Sequence, residues 1–135
     1  MKRTLMMFFV AVLGLAPVVM AQGQTVGQKE TGLAAVYSSR LNGHVTASGQ
    51  MYNGSALTAA HKTLPYGTKI KVTNTKNDKS VVLQVNDRGP VQAGRILDIT
   101  PAAAARLGIP RKAMRDVPVE VIEQGNGKTT RQHAE

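Results

Sequence analysis

The sequence has no cysteine and no tryptophan, and it has few acidic residues. Its 135 residues exclude both disulfide bonds and a lipid-attachment cysteine, so we expect no stable membrane anchor of that kind. Eight Asp and Glu residues stand against 17 Lys and Arg residues, giving a formal net charge of +9. Such a basic balance suits an anionic partner. The alternative is that the lysines only keep the domain soluble, and charge alone does not distinguish the two.

The N-terminal segment has the layout of a secretory signal peptide. Lys2 and Arg3 precede an apolar run from Leu5 to Val19, and the small residue Ala21 follows at the expected cleavage site. A membrane anchor is the alternative, but the run is shorter than the roughly 20 residues that span a bilayer. We therefore expect a signal peptide at residues 1–21 and a soluble periplasmic or secreted product. For such a product an acidic cell wall or an anionic membrane surface is a more suitable anionic partner than nucleic acid.

The remaining residues suffice for one compact domain. Residues 22–31 are polar and rich in Gln and Gly, which predicts a flexible lead-in. The pattern changes at Gly32, and we predict a domain over residues 32–123, followed by a flexible tail at 124–135. We expect the protein to be a monomer.

Short alternating apolar runs predict a mainly β protein with about six strands. The clearest of these runs are 33–38, 68–73, 80–85, 95–99 and 117–121. Residues 57–61 fit a helical turn or an extended segment equally well, because so few residues do not define a period. Thr100 and Pro101 predict the start of a helix, and Gly108 its end. A small closed barrel is the natural architecture, because closure removes the exposed edges of short strands.

Asp87 and Asp98 are the candidate carboxylates for chemistry. The other acidic residues fall in expected flexible ends, a turn or the last strand: Glu30, Asp78, Asp116, Glu120, Glu123 and Glu135. Asp87 leaves a strand just before Gly89 and Pro90, so it should lie on a rim, although it could equally cap that turn. Asp98 lies between two aliphatic residues, and partial burial raises the pKa of a carboxyl group. Alternatively, Asp98 pairs with Arg95.

Other chemistry-bearing residues are few. His61 has a setting typical of a hydrogen-bonded histidine, and three histidines without ligand-like spacing predict no metal site. The absence of a phosphate-binding loop predicts no nucleotide cofactor, and Ser48 resembles a turn or hydroxyl contact more than a nucleophile. Tyr37, Tyr52 and Tyr66 are the only aromatic residues after residue 21, so any surface for stacking sugar rings is small.

Six blocks in order closely resemble the rare lipoprotein A family. They are GLAAVYS at 32–38, TASG at 46–49, LTAAHKTLPYGT at 57–68, VTN at 72–74, NDRGP at 86–90 and RILD at 95–98. The resemblance implies a six-stranded double-psi β-barrel with one or two short helices, related to the barrel of expansins. It also implies a lytic transglycosylase that cleaves peptidoglycan glycan strands without water and leaves anhydromuramyl ends. No cofactor is implied.

The resemblance also assigns residues. The acid of the family's NDRGP block falls on Asp87 and its histidine on His61, while Asp98 matches an acid of expansin-type barrels. These three residues are the expected catalytic group. We expect substrate contacts from residues of the same blocks: Tyr37, Thr46, Ser48, Gln50 and Arg88. The chain departs from the family at Gln50, where Glu is usual, and at Ala35 and Val36, where Ser and Trp are usual.

Two other functions stay open at this point. Gln50 and the missing tryptophan also fit a non-catalytic wall-binding module or an expansin-like loosening module, because an amide binds sugar hydroxyls but does not exchange protons at working pH. Small barrels of this type also serve as inhibitors or secreted effectors, which here has no support beyond export and size.

Overall fold

A computed structural model describes residues 26–129, which form six strands and one α-helix. The strands are β1 (Lys29–Val36), β2 (Thr58–His61), β3 (Lys69–Asn74), β4 (Lys79–Asp87), β5 (Arg95–Ile99) and β6 (Arg115–Glu123). The helix is α1 (Pro101–Leu107), and a single 3₁₀ turn spans Ser39–Leu41. The predicted signal peptide at residues 1–21 lies outside the described residues, as do residues 130–135.

The six strands close into a barrel in the order β1-β5-β2-β4-β3-β6. The β1–β5 and β2–β4 pairs are parallel, and the other four pairs are antiparallel. Every strand therefore has a neighbour on both sides, which removes the unpaired edges that short strands otherwise present. The prediction of a mainly β, six-stranded closed barrel with a short helix is confirmed.

Alternation along the strands places one row of aliphatic side chains inside the barrel. Ile70 and Val72 on β3 are fully buried, whereas Lys69 and Lys71 between them are exposed, as their spacing predicts. Neighbouring strands supply the rest of the interior: Val81, Leu83, Val85, Leu97, Ile99, Val117, Val119 and Val121. This aliphatic core holds the strands whose ends carry the candidate site.

Helix α1 has the predicted ends. The Thr100 hydroxyl accepts a hydrogen bond from the Ala103 N–H at 3.3 Å, and Pro101 occupies the first turn. Gly108 ends the helix in the left-handed conformation, with φ of 69°. Within residues 26–129, no helix is both long and apolar enough to cross a membrane.

Residues 57–61, which fitted a helical turn or an extended segment equally well from the sequence, contain a strand. Residues 58–61 form β2, which pairs with β4 on one side and with β5 on the other. All four residues of β2 are buried. Because both faces of β2 are covered, buried and exposed residues do not alternate along it. The sequence therefore lacks the period-two pattern that identifies a half-exposed strand.

Both ends of the domain are more ordered than the sequence predicts. Residues 29–31, within the expected lead-in, belong to β1 and pair with β6. In the expected tail, the Gly125 N–H donates to the Thr68 hydroxyl at 3.0 Å, and the Gly127 N–H donates to the Tyr66 carbonyl at 3.0 Å. Composition suggested flexibility in both places, but hydrogen bonds to distant residues hold the described parts, residues 26–31 and 124–129.

Candidate active site

Asp87 and Asp98 lie in one row across three adjacent strands. Ala60 on β2 is the register partner of Asp98 on β5 and of Asp87 on β4. Leu97 and Ile99 point into the core, so Asp98 points outward. Register partners share a face of the sheet, which puts both carboxylates on the outer face with only the Ala60 methyl group between them. Two inter-strand spacings separate their backbones by roughly 10 Å.

A β-bulge in β4 gives Asp87 its outward orientation. Ala59 pairs with Val85, but the next residue, Ala60, pairs with Asp87, so Asn86 is an additional residue in β4. In a regular strand, Asp87 would share the face of Val85, whose side chain is fully buried in the core. The bulge therefore turns a carboxylate outward that alternation alone would bury.

Both carboxylate oxygens of Asp87 accept hydrogen bonds. Oδ1 accepts from the backbone N–H groups of Ala47 and Arg88, each at 2.9 Å. Oδ2 accepts from the Tyr37 hydroxyl at 2.8 Å. The side chain is nevertheless partly exposed. Asp87 thus lies at the rim that the sequence predicts, and it also contacts the turn that it was expected to cap.

Tyr37 connects the end of β1 to Asp87 and to a second aromatic ring. Its backbone N–H donates to the Ile99 carbonyl at 2.9 Å, and its ring centroid lies 4.9 Å from that of Tyr52. Burial raises the pKa of the Tyr37 hydroxyl, and its hydrogen bond to Asp87 raises it further. The hydroxyl therefore keeps its proton. Because a hydroxyl both donates and accepts, it can remain bonded to Asp87 when that residue is protonated.

Asp98 is mostly buried and is paired with Arg95. Its carboxylate accepts a hydrogen bond from the Arg95 guanidinium, the pairing that the sequence left as an alternative. Burial raises the pKa of Asp98, Arg95 opposes this effect, and the nearby Asp87 carboxylate adds to it. The net direction is upward, so Asp98 holds a proton to higher pH than an ordinary aspartate does.

The segment 46–50 covers the bulge and positions Asp87. The Thr46 and Ser48 hydroxyl oxygens lie 3.0 Å apart, and the Asn86 amide donates to Gln50 Oε1 at 3.1 Å. Thr46 is buried, and its expected contact with substrate stays a prediction. Ser48 and Gln50 are partly exposed in the same segment.

The His61 imidazole faces Glu30 rather than Asp87. Nδ1 accepts hydrogen bonds from the Thr63 and Leu64 N–H groups, each at 3.1 Å. The proton therefore lies on Nε2, which is 3.0 Å from Glu30 Oε2. Both nitrogens of the buried ring are therefore engaged, and these contacts join the segment after β2 to β1. The expected catalytic role of His61 stays a prediction.

Arg88 folds back onto its own domain. Nη1 donates to the His61 carbonyl at 3.2 Å and to the Leu64 carbonyl at 2.7 Å. The guanidinium carbon lies 4.1 Å from the Tyr66 ring centroid, a cation–π arrangement. Arg88 therefore fixes the loop between β2 and β3. These contacts give Arg88 a positioning role, and its expected contact with substrate stays a prediction.

Three residues whose contacts build the site were not predicted from the sequence to do so. Asn86 forms the bulge, Glu30 binds His61, and Tyr66 supports Arg88. The position of Asn86 next to Asp87 was the only available signal. Glu30 lies 31 residues from its partner, in a segment whose composition indicated disorder. Across residues 26–129 there is no cluster of three or more His, Asp or Glu residues that could hold a metal ion.

Comparison with known proteins places the chain in a family. Residues 29–121 match the model of a family described as lytic transglycolase. The endolytic peptidoglycan transglycosylase RlpA of Vibrio cholerae is 47% identical over 96 residues, which cover 71% of this chain and 36% of that protein. The protein of the same name from Neisseria meningitidis is 47% identical over 96 residues, covering 71% of this chain and 40% of that protein. The chain thus spans little more than a third of the length of these relatives.

Solved structures share the fold at low sequence identity. A Clavibacter michiganensis expansin superimposes with a TM-score of 0.55 at 20% identity, covering 74% of this chain and 53% of the expansin. The Streptomyces papain inhibitor gives 0.56 at 20% identity, covering 73% and 97%. Such similarities concern the barrel alone. With the family match over β1 to β6 and the six ordered blocks, they lead to one conclusion: the chain belongs to the rare lipoprotein A (RlpA) family of double-psi β-barrel proteins.

Proposed function

We propose that this protein is an endolytic lytic transglycosylase of peptidoglycan, with Asp87 as its acid and base. The observation that carries the proposal is the outward-facing, partly exposed carboxyl group of Asp87, oriented by Tyr37 and two backbone N–H groups. Membership of the RlpA family supports it, as do the activities named for the V. cholerae and N. meningitidis relatives. The substrate is the glycan strand, cleaved between N-acetylmuramic acid and N-acetylglucosamine.

A single carboxyl group suffices for this reaction. The Asp87 carboxylic acid gives its proton to the glycosidic oxygen as the bond to C1 of the muramyl residue breaks. The C6 hydroxyl of the same sugar then bonds to C1, and its proton passes to the Asp87 carboxylate. No water is consumed, and the acid is regenerated. Because the nucleophile belongs to the substrate, proximity is already provided, unlike in glycoside hydrolysis, where a second carboxylate usually acts on water.

The neighbouring groups have supporting roles in this proposal. The Tyr37 hydroxyl donates to the Asp87 carboxylate and rotates to accept from the carboxylic acid, so Asp87 keeps its orientation through both steps. Asp98, whose pKa is raised by burial, orients sugar hydroxyl groups by hydrogen bonding from the same face. Ser48 and Gln50 offer hydroxyl and amide contacts at the rim.

A variant assay with isolated glycan tests the proposal. Purified protein is incubated with stem-peptide-free glycan strands, and products are analysed by mass spectrometry for anhydromuramyl ends. Asp87→Asn should lower product formation by a factor on the order of 100 or more without unfolding the barrel. Asp78→Asn is a matched control, because Asp78 is exposed at the β3–β4 turn with φ of 58°, a conformation that Asn tolerates. Wild-type protein that yields no anhydromuramyl product, beside an active relative, contradicts the proposal.

A non-catalytic wall-binding module is the second candidate, favoured by one observation. Gln50 occupies the position of the usual family Glu, and its side-chain oxygen accepts from the Asn86 amide beside Asp87. On this hypothesis the protein sediments with purified sacculi and generates no new ends. A Gln50→Glu variant that gains lytic activity identifies the site as a lapsed enzyme. Anhydromuramyl products formed at the same measurable rate by wild type and variant exclude the second candidate.

We propose in addition that the protein is exported to the periplasm or beyond. The basic, apolar and small-residue order of residues 1–21 supports export. Mass spectrometry of the protein recovered from the periplasmic fraction should give an N-terminus at Gln22. Recovery of the intact chain from the cytoplasm contradicts export.

A further inference from the structure

An open pocket of about 480 Å³ lies against one side of helix α1. It is bounded by residues 54–55, by α1 and by residues 109–111. Pockets of this volume accommodate small ligands. The lining is mostly apolar, and Arg111 is its only charged residue within the described part of the chain.

Two tyrosines connect the pocket to Asp87. Tyr37 donates to Asp87, and its ring packs against Tyr52 at 4.9 Å. The Tyr52 hydroxyl lies 3.5 Å from the position that a Cβ on Gly54 would occupy, next to the pocket wall. Tyr52 is only 4% exposed, and its hydroxyl has no hydrogen-bond partner among residues 26–129. Two packed aromatic rings therefore join the side chain of Asp87 to the residues next to the pocket.

The charge of Arg111 is not neutralised by the domain itself. Ion pairs within residues 26–129 join His61 to Glu30, Lys69 to Glu123 and Arg95 to Asp98, and none includes Arg111. Arg111 is exposed, and its charge acts on Tyr52, whose hydroxyl lies next to Gly54 of the pocket wall. Burial raises the pKa of Tyr52, whereas the positive charge of Arg111 lowers it. An unpaired guanidinium beside an apolar surface suits a carboxylate, which it can bind with two parallel hydrogen bonds.

We propose that this pocket is a secondary glycan subsite in which Arg111 binds the lactyl carboxylate of a muramyl residue. The inference rests on the proposed function, since it requires a peptidoglycan strand at Asp87. The lactyl carboxylate is attached to the sugar ring by one short arm, so a pocket sized for a small ligand can hold both the ring and the charge. Apolar side chains such as Pro101 and Ile109 would contact the sugar, and Arg111 the carboxylate. Carboxylates of a stem peptide lie farther from the ring.

Three tetrasaccharides separate charge from sugar binding. The first is stem-peptide-free and contains muramyl residues, the second has its lactyl carboxylates converted to methyl esters, and the third is chitotetraose. Titration calorimetry with the full chain carrying Asp87→Asn prevents turnover during the measurement. Esterification should weaken binding by a factor on the order of ten, the usual range for losing a charge-assisted hydrogen bond. Higher salt should weaken binding of the first probe only.

Variants assign the effect to the pocket. Arg111→Gln should weaken binding of the carboxylate probe on the order of tenfold and leave binding of the ester and of chitotetraose unchanged. Arg111→Lys should restore part of the loss. Ala105 is an exposed lining residue of α1. Ala105→Glu should also weaken binding of the carboxylate probe, because the introduced carboxylate repels that of the probe. The matched control is Lys112→Gln, which removes a neighbouring exposed charge outside the lining and should have no effect.

The outcomes distinguish this inference from the proposed function. Equal binding of the acid and its ester, or equal loss in the Lys112 variant, overturns the subsite even if glycan is cleaved. Tighter, Arg111-dependent binding of a peptide-bearing tetrasaccharide overturns the lactyl assignment in favour of a stem-peptide carboxylate. Absence of binding by every muramyl probe overturns the subsite as well. Arg111-dependent binding without anhydromuramyl products supports the subsite and contradicts only the enzyme.

Discussion

The Tyr37 hydroxyl donates a 2.8 Å hydrogen bond to Asp87 Oδ2 across 50 positions of sequence. Tyr37 follows β1, Asp87 ends β4, and two other strands of the barrel lie between β1 and β4. Barrel closure therefore creates this contact, and the bulge at Asn86 aims Asp87 toward it. Four predictions follow from this contact and from other contacts around it.

Tyr37→Phe should lower kcat on the order of tenfold with little change in KM, because the phenylalanine ring still packs on Tyr52 but no longer orients Asp87. Steady-state release of anhydromuramyl products measures both constants. Tyr66→Phe is the matched control, since the ring beneath Arg88 is retained. Unchanged kcat in the Tyr37 variant would show that Asp87 needs no orientation from this hydroxyl.

Asp98→Asn should change how stability depends on pH. Burial raises the pKa of Asp98 above the ordinary carboxyl value of 3.8, and Arg95 offsets this only in part. A raised folded-state pKa contributes stability that is fully present below the unfolded-state value and is lost as pH rises through the folded-state value. The Asn variant should therefore gain stability relative to wild type as pH increases from about 3 toward neutrality.

Urea unfolding of both proteins across that pH range measures the difference. The result to compare is the difference in free energy of unfolding between variant and wild type at each pH, so that effects of other groups cancel. The upward pKa shift of Asp98 is contradicted if this difference in free energy of unfolding does not change with pH. It is also contradicted if the wild type gains stability relative to the variant as pH rises.

Arg88→Lys should lower the free energy of unfolding by about 1 kcal/mol, because lysine keeps the charge but loses the planar group that stacks on Tyr66 and bonds two carbonyls. Denaturant unfolding is the measurement, with Lys62→Arg as a control at an exposed neighbour. A variant with unchanged stability and a raised KM would indicate that Arg88 contacts substrate and is not needed to hold the loop.

Gly125→Ala should destabilise the domain by about 2–3 kcal/mol, the range found when atoms are forced into packed space. A Cβ at this glycine would lie 2.2 Å from the Thr68 nitrogen and 2.3 Å from the Tyr66 carbonyl oxygen. Thermal unfolding measures the change, with the exposed Gln124→Ala as control. Equal melting temperatures for the two variants would show that the segment after β6 does not pack as described.

The sequence alone predicted the features that depend on local chemistry. Alternation of Val and Ile with Lys defined the β3–β4 hairpin, because period-two burial is visible wherever one face of a strand meets water. Thr100, Pro101 and Gly108 defined the ends of α1, because caps act within one helical turn. Elimination among the eight acidic residues brought Asp87 and Asp98 forward as candidates, and the six ordered blocks indicated the family.

Only the tertiary structure decided which side chains meet. The bulge at Asn86 depends on how β4 pairs with β2, and register between distant strands leaves no mark in either strand alone. His61 turned toward Glu30 and Arg88 toward Tyr66 because barrel closure brought those partners within bonding distance. The sequence by itself determined the elements and the candidate acids of this protein, whereas closure of the barrel determined which of them face outward together. The physical reason is that propensity and capping act over a few neighbouring residues, while pairing joins residues dozens of positions apart.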